Sequence, residues 1–178
     1  MLDFPEPYLL APSSLTPTAL RERAATMLAD PAVLDPSTLA ALPVGGAVEL
    51  RGNFLYDAWL VRLGPEAASD LHAHERGYSA VAVVSGALRE TRATSDGLFV
   101  RMVAAGEMIS TRAGDTHRLT VTEIANEDDN RFTDAPGPSG GDEVGTVALY
   151  LSSPPRGEAP KIVTSATSTP VVPAAMVS

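Results

Sequence analysis

The chain has 178 residues, 44% hydrophobic and 20% charged, enough for one domain with a sizeable core and too few for two comfortable ones. Its formal net charge of −9, with no basic run, argues against a nucleic-acid partner, because phosphates need clustered Lys or Arg to neutralise them. Cysteine is absent, so there is neither a disulfide framework nor a thiol nucleophile.

The opening "MLDFPEPYLLAP" has no basic region followed by an apolar run, so it does not read as a signal peptide. No apolar segment reaches membrane-spanning length, and the expectation is a cytoplasmic protein with no membrane partner. Residues 1–15 are proline-rich and are expected to form an extended arm. Thr16 then offers a helix cap and Pro17 a first helical position, and Leu20, Ala24, Met27 and Leu28 make an apolar stripe. Asp30-Pro31 stops that helix, and Asp35-Pro36 caps a second short one ending near Leu42. These helices, in an N-terminal unit of residues 1–45, are expected to pack on the domain that follows.

From about 46 to 165 the chain reads as strands. The runs 56–63, 78–86, 87–93, 98–104, 117–124 and 146–152 are short and rich in β-branched or aromatic residues. Gly64-Pro65, Gly86, Ser95-Asp96-Gly97, Gly106 and Gly114-Asp115 divide them. Many short strands without intervening helices predict an all-β, mainly antiparallel barrel of six to eight strands. Residues 125–145 are acidic and rich in Gly and Pro, too long for a hairpin loop, and are expected to be a lid or an irregular excursion. The low-complexity tail, 166–178, is expected to be flexible.

The chain contains only three histidines. His72 and His74 form an H-x-H pair, and residues two apart in a strand project to one face. His117 ends the tight turn "RAGDTH" and can bring a third imidazole to the same site from another strand. Three imidazole nitrogens suit iron, zinc, nickel or copper.

This glycine and histidine spacing resembles the two signature motifs of the cupin superfamily, which implies a double-stranded β-helix (jelly-roll) barrel. The chain departs from those motifs at Tyr78 and Ser79, where the family places a glutamate, and at Arg112 and Val121, where it places a proline and an asparagine. Glu75, directly after His74, should point to the opposite face. A narrower resemblance, over about residues 50–155, is to cysteine dioxygenase and related thiol dioxygenases. It rests on Trp59, Gly64, His72, His74, Gly86, Leu88 and Glu90, and on "VALYLSSPP" near the end of the barrel.

That resemblance implies iron(II) on His72, His74 and His117, with dioxygen and a small thiol carboxylate as substrates and a sulfinic acid as product. It also implies an arginine for the substrate carboxylate, matched here by Arg51, with Val61, Leu63 and Tyr78 as further substrate contacts. Arg62 competes with Arg51 but alternates against Trp59, Val61 and Leu63, which are expected to face inward. Where the family carries a histidine and a tyrosine two residues apart, this chain has Tyr150 and Ser152, the candidate catalytic positions; Ser79 replaces the family's crosslinking cysteine. Two alternatives stay open: a different metal-dependent cupin enzyme, and a cupin binding module without turnover. A monomer and a homodimer are equally compatible with the sequence.

Overall fold

The computed structural model describes residues 14–74, 77–122, 145–160 and 163–164. Helix α1 is Pro17–Leu28 and α2 is Pro36–Ala41. Both begin where the caps predict: the Thr16 side chain accepts from the Ala19 amide, and the Asp35 side chain from the Thr38 amide. Eleven strands follow among the described residues. β1 (Ala47–Gly52), β2 (Asp57–Leu63), β3 (Ala67–Ala68) and β4 (His72–Ala73) precede β5 (Tyr78–Ser85) and β6 (Ala87–Thr94). Then come β7 (Gly97–Ala104), β8 (Met108–Arg112), β9 (Thr116–Val121), β10 (Thr146–Ser153) and β11 (Val163–Thr164).

The strands form two sheets, ordered β1-β2-β10-β5-β8 and β11-β3-β9-β6-β7, with β4 paired to β9 outside the second path. All of their pairings are antiparallel. The result is the expected mainly antiparallel all-β architecture, in two sheets with short N-terminal helices, built from more and shorter strands than the six to eight expected. The two-residue strands β3, β4 and β11 are the difference, being too short to leave an alternating hydrophobic pattern. Residues 125–144, Glu75 and the tail 166–178 lie outside the described residues, and with them the expectations of a lid and a flexible tail.

Alternation on the first sheet divides the core in two. Ala58, Leu60, Ala80, Ala82, Leu149 and Leu151 face outward and are covered by Leu20 and Ala24 of α1. Val61, Leu63, Val81, Val83 and Ala148 face the second sheet and meet Leu88, Val103, Leu119 and Val121. Leu20, Leu60, Leu88 and Leu149 are all fully buried, and each such side chain contributes about 2 kcal/mol of transfer free energy. Gly86 turns β5 into β6 at φ +78°, and a Cβ there would meet Thr146 Oγ1 at 2.6 Å, so only glycine fits this corner.

Candidate metal centre

β4 lies against β9 so that His72 is the direct partner of His117. The ladder continues one step past β4: the His74 amide donates to Asp115 O (3.0 Å), and the Gly114 amide donates to His74 O (2.7 Å). His74 therefore stays extended and projects to the same side as His72, as the H-x-H spacing predicts. Ser69 ties the preceding segment to β9, its Oγ accepting from the Leu119 amide at 2.9 Å.

The three rings converge, with centroids 4.9–5.0 Å apart. One nitrogen from each lies within 4.8 Å of the others, the one such potential metal-binding group among the described residues. His74 and His117 are buried and His72 is half-buried. The Nε2 atoms of His74 and His117 are 3.0 Å apart, close to the separation of two imidazole nitrogens that share an ion at ~2.1 Å.

The remaining ring nitrogens set the tautomers. His72 Nδ1 donates to Asp70 O (2.9 Å), and His117 Nδ1 donates to Glu90 Oε1 (3.0 Å), so both rings offer an Nε2 lone pair. Glu90 is fully buried and also accepts from Arg92 Nη2 (2.8 Å) and Arg101 Nε (2.7 Å). Burial pushes its carboxyl up, but hydrogen bonds from His117, Arg92 and Arg101 outweigh that and hold it at about 2.

His74 is different. Its Nδ1 faces Arg156 Nη2 at 3.2 Å. A guanidinium only donates, so Nδ1 must accept and the ring proton sits on Nε2, toward His117. Burial, then the charges of His117, His72 and Arg156, lower its pKa to about 4. To hold an ion on Nε2, His74 would need its proton on Nδ1, facing the Arg156 donor. The donor set of His72, His74 and His117 fits a divalent ion.

The histidines open onto a cavity of about 360 Å³, whose walls include Trp59, Ser79, Val81, Leu119, Tyr150, Ser152 and Arg156. Trp59 and Tyr150 are partners across β2 and β10, and both Trp59 Nε1 and Tyr150 Oη are buried without a hydrogen-bond partner. Burial pushes the Tyr150 phenol up, so it stays protonated and donates rather than acting as a base. Ser79 is hydrogen-bonded to Thr111 behind the wall.

Of the residues expected at the site, the three histidines, Tyr150 and Ser152 come together at this cavity. Arg51, Val61, Leu63 and Tyr78 do not line it. A bulge between Glu49 and Arg51 pairs Arg51 with Ala58, whose side chain belongs to the outer core, so the exposed Arg51 falls on the face away from the histidines. Tyr78 packs on the same outer core, and Val61 and Leu63 are core deeper between the sheets. The cation at the cavity is Arg156. Its position is built: Asp57, buried at the start of β2, accepts from the amides of Arg156 (2.7 Å) and Gly157 (2.9 Å) with one oxygen. Asp57 and Arg156 are 99 residues apart, and no local pattern marks that contact.

No family model matches the chain, and no curated protein matches it. Solved structures of Bacillus subtilis oxalate decarboxylase, a protein with Mn(II) centres, align at 19–21% identity with a TM-score of 0.44, over 63% of this chain and 26% of theirs. This chain thus spans about a quarter of their length. KdgF from Halomonas sp. aligns at 18% identity with a TM-score of 0.46, over 63% of this chain and 82% of that one.

Proposed function

We propose that this chain is a metal-dependent cupin enzyme acting on a small anionic substrate, with iron(II) as its metal and a thiol carboxylate as the first substrate to test. The observation that carries the reading is the convergence of His72, His74 and His117 at the wall of a cavity sized for a small molecule. Three neutral imidazoles leave an ion's full double charge in place, which favours an anionic ligand such as a thiolate. When bound, the metal supplies Lewis acidity and, as iron(II), the redox capacity for oxygen chemistry.

The chain's own residues divide the remaining work. Arg156, on the cavity wall beside His74, holds the substrate carboxylate through its planar fork. Trp59 Nε1–H and the Tyr150 hydroxyl donate to polar substrate atoms, which resolves two buried groups with no partner among the described residues. Val81 and Leu119 supply apolar wall and limit water at the reacting atoms. Glu90 keeps the His117 proton on Nδ1 and the ring fixed.

A second reading, a cupin enzyme with another metal and reaction, is favoured by Tyr150 and Ser152, because a serine hydroxyl reaches less far than a phenol and is far less acidic. Metal analysis of protein from iron-supplemented cells, paired with oxygen uptake on L-cysteine and 3-mercaptopropionate, separates the two. Near-stoichiometric iron with thiol-dependent uptake and a sulfinate product supports the first. Bound iron, manganese or zinc with no uptake on either thiol transfers support to the second. Protein that binds none of these metals removes both.

A further inference from the structure

A second cavity, about 500 Å³, lies on the far side of Glu90 from the histidines. Its walls carry Arg21 of α1, Arg92 of β6, Arg101 of β7 and Arg112 of β8. In a chain of net charge −9 with only thirteen Lys and Arg, four arginines from four elements line one space. Two carboxylates face them, Glu90 and Asp115. Both are already engaged: Glu90 by Arg92, Arg101 and His117, and Asp115 by Arg92 (3.2 Å) and the Arg112 amide (2.8 Å). Neither Arg21 nor Arg112 makes an ion pair among the described residues, so the cavity holds two unneutralised cations.

Three further features favour an anion there. Ser110 lines the cavity, and its Oγ is buried without a hydrogen-bond partner. Pro17 and Thr18, the first turn of the twelve-residue α1, also line it, so the positive end of that helix faces the same space. The exposed ring of Phe99 forms an apolar side wall, suited to the carbon part of an organic ligand. Guanidinium groups arriving from four elements approach from different directions. A phosphoryl group carries more negative charge than a carboxylate and a third terminal acceptor oxygen, which suits cations that approach from several directions.

We infer that this cavity is a binding site for the phosphoryl group of a small phosphorylated molecule, held chiefly by Arg21 and Arg112 with Arg92 and Arg101 behind them. The site is separate from the histidine cavity and does not depend on the reaction proposed for it. The two meet at the Glu90–His117 hydrogen bond.

The test is calorimetric titration of the full-length protein with glycerol 3-phosphate at low salt, against an Arg21→Ser/Arg112→Ser variant. Saturable sub-millimolar binding is expected, at least about tenfold weaker in the variant. The two arginines make no ion pairs, so the variant should keep its Tm, and matched melting curves confirm that it is folded. Absence of saturable binding up to ~10 mM, or equal affinity in the variant, overturns the site. A parallel titration with citrate overturns the phosphoryl assignment if citrate binds as tightly.

Discussion

The two flanks of the histidine cluster are built oppositely. On the His117 flank a buried glutamate accepts from the imidazole and from two arginines, so every hydrogen bond closes within the protein. On the His74 flank a guanidinium faces a ring nitrogen, and that contact exists only while the ring carries its proton on Nε2. One flank is closed by hydrogen bonds that leave the His117 Nε2 lone pair free. The other would have to shift its ring proton to take an ion. The contrast teaches that fixed support comes from β6 and β7, while the adjustable contact belongs to the segment after β10.

The largest expected effect tests whether both flanks serve one ion. His117→Ala and His74→Ala should each reduce bound metal to below about a tenth of the wild-type content by elemental analysis. Retention of metal in either would separate the flanks. Next is the closed flank: Glu90→Ala removes the acceptor shared by His117, Arg92 and Arg101, and should destabilise the fold by about 1–3 kcal/mol in denaturant unfolding, since both arginines keep access to solvent. Glu90→Gln, which keeps the shape, should weaken metal binding about 10–100-fold, since the carboxylate orients His117.

Acid should affect the flanks in separate windows in the chelated protein. The unfolded chain protonates His74 near 6.5, the folded one only near 4, so between these values the unfolded state binds more protons. Stability is therefore lost as pH falls from about 6.5 to about 4, by up to about 3 kcal/mol. Glu90 contributes stability that is present above about 4.5 and lost as pH falls through about 2. Denaturant midpoints against pH should show the upper step vanish in His74→Phe and persist in Glu90→Gln; an unchanged profile in His74→Phe would remove the assignment.

A smaller effect sharpens the open flank. Arg156→Ala removes a cation beside the site, so metal affinity should rise by about three- to tenfold while the Michaelis constant for a carboxylate substrate also rises. A fall in metal affinity would show that Arg156 supports the ion rather than competing with it. Arg51→Ala should do least, changing stability by under ~0.5 kcal/mol and leaving that Michaelis constant unchanged, because Arg51 is exposed on the other face.

Much of the fold was legible because its signals are local. Caps and prolines placed α1 and α2, and glycine turns bounded β5, β6 and β7 to within a residue. Arg51 was matched to a family arginine by resemblance, and the bulge between Glu49 and Arg51, which pairs it with Ala58 on the outer face, leaves no mark in composition. Glu90 was noted for its position in a family pattern, but its bond to His117 was not, since the two stand 27 residues apart.

By itself the amino-acid sequence determined the three imidazoles, their extended spacing and the short antiparallel strands that surround them. These depend on residue type and on the period-two geometry of a strand. Only the tertiary structure decided which charges flank them: Glu90 behind His117, Arg156 beside His74, and the four arginines around a second cavity. Those partners come from separate strands and loops, and a contact between distant elements is set by how the sheets stack rather than by any local pattern.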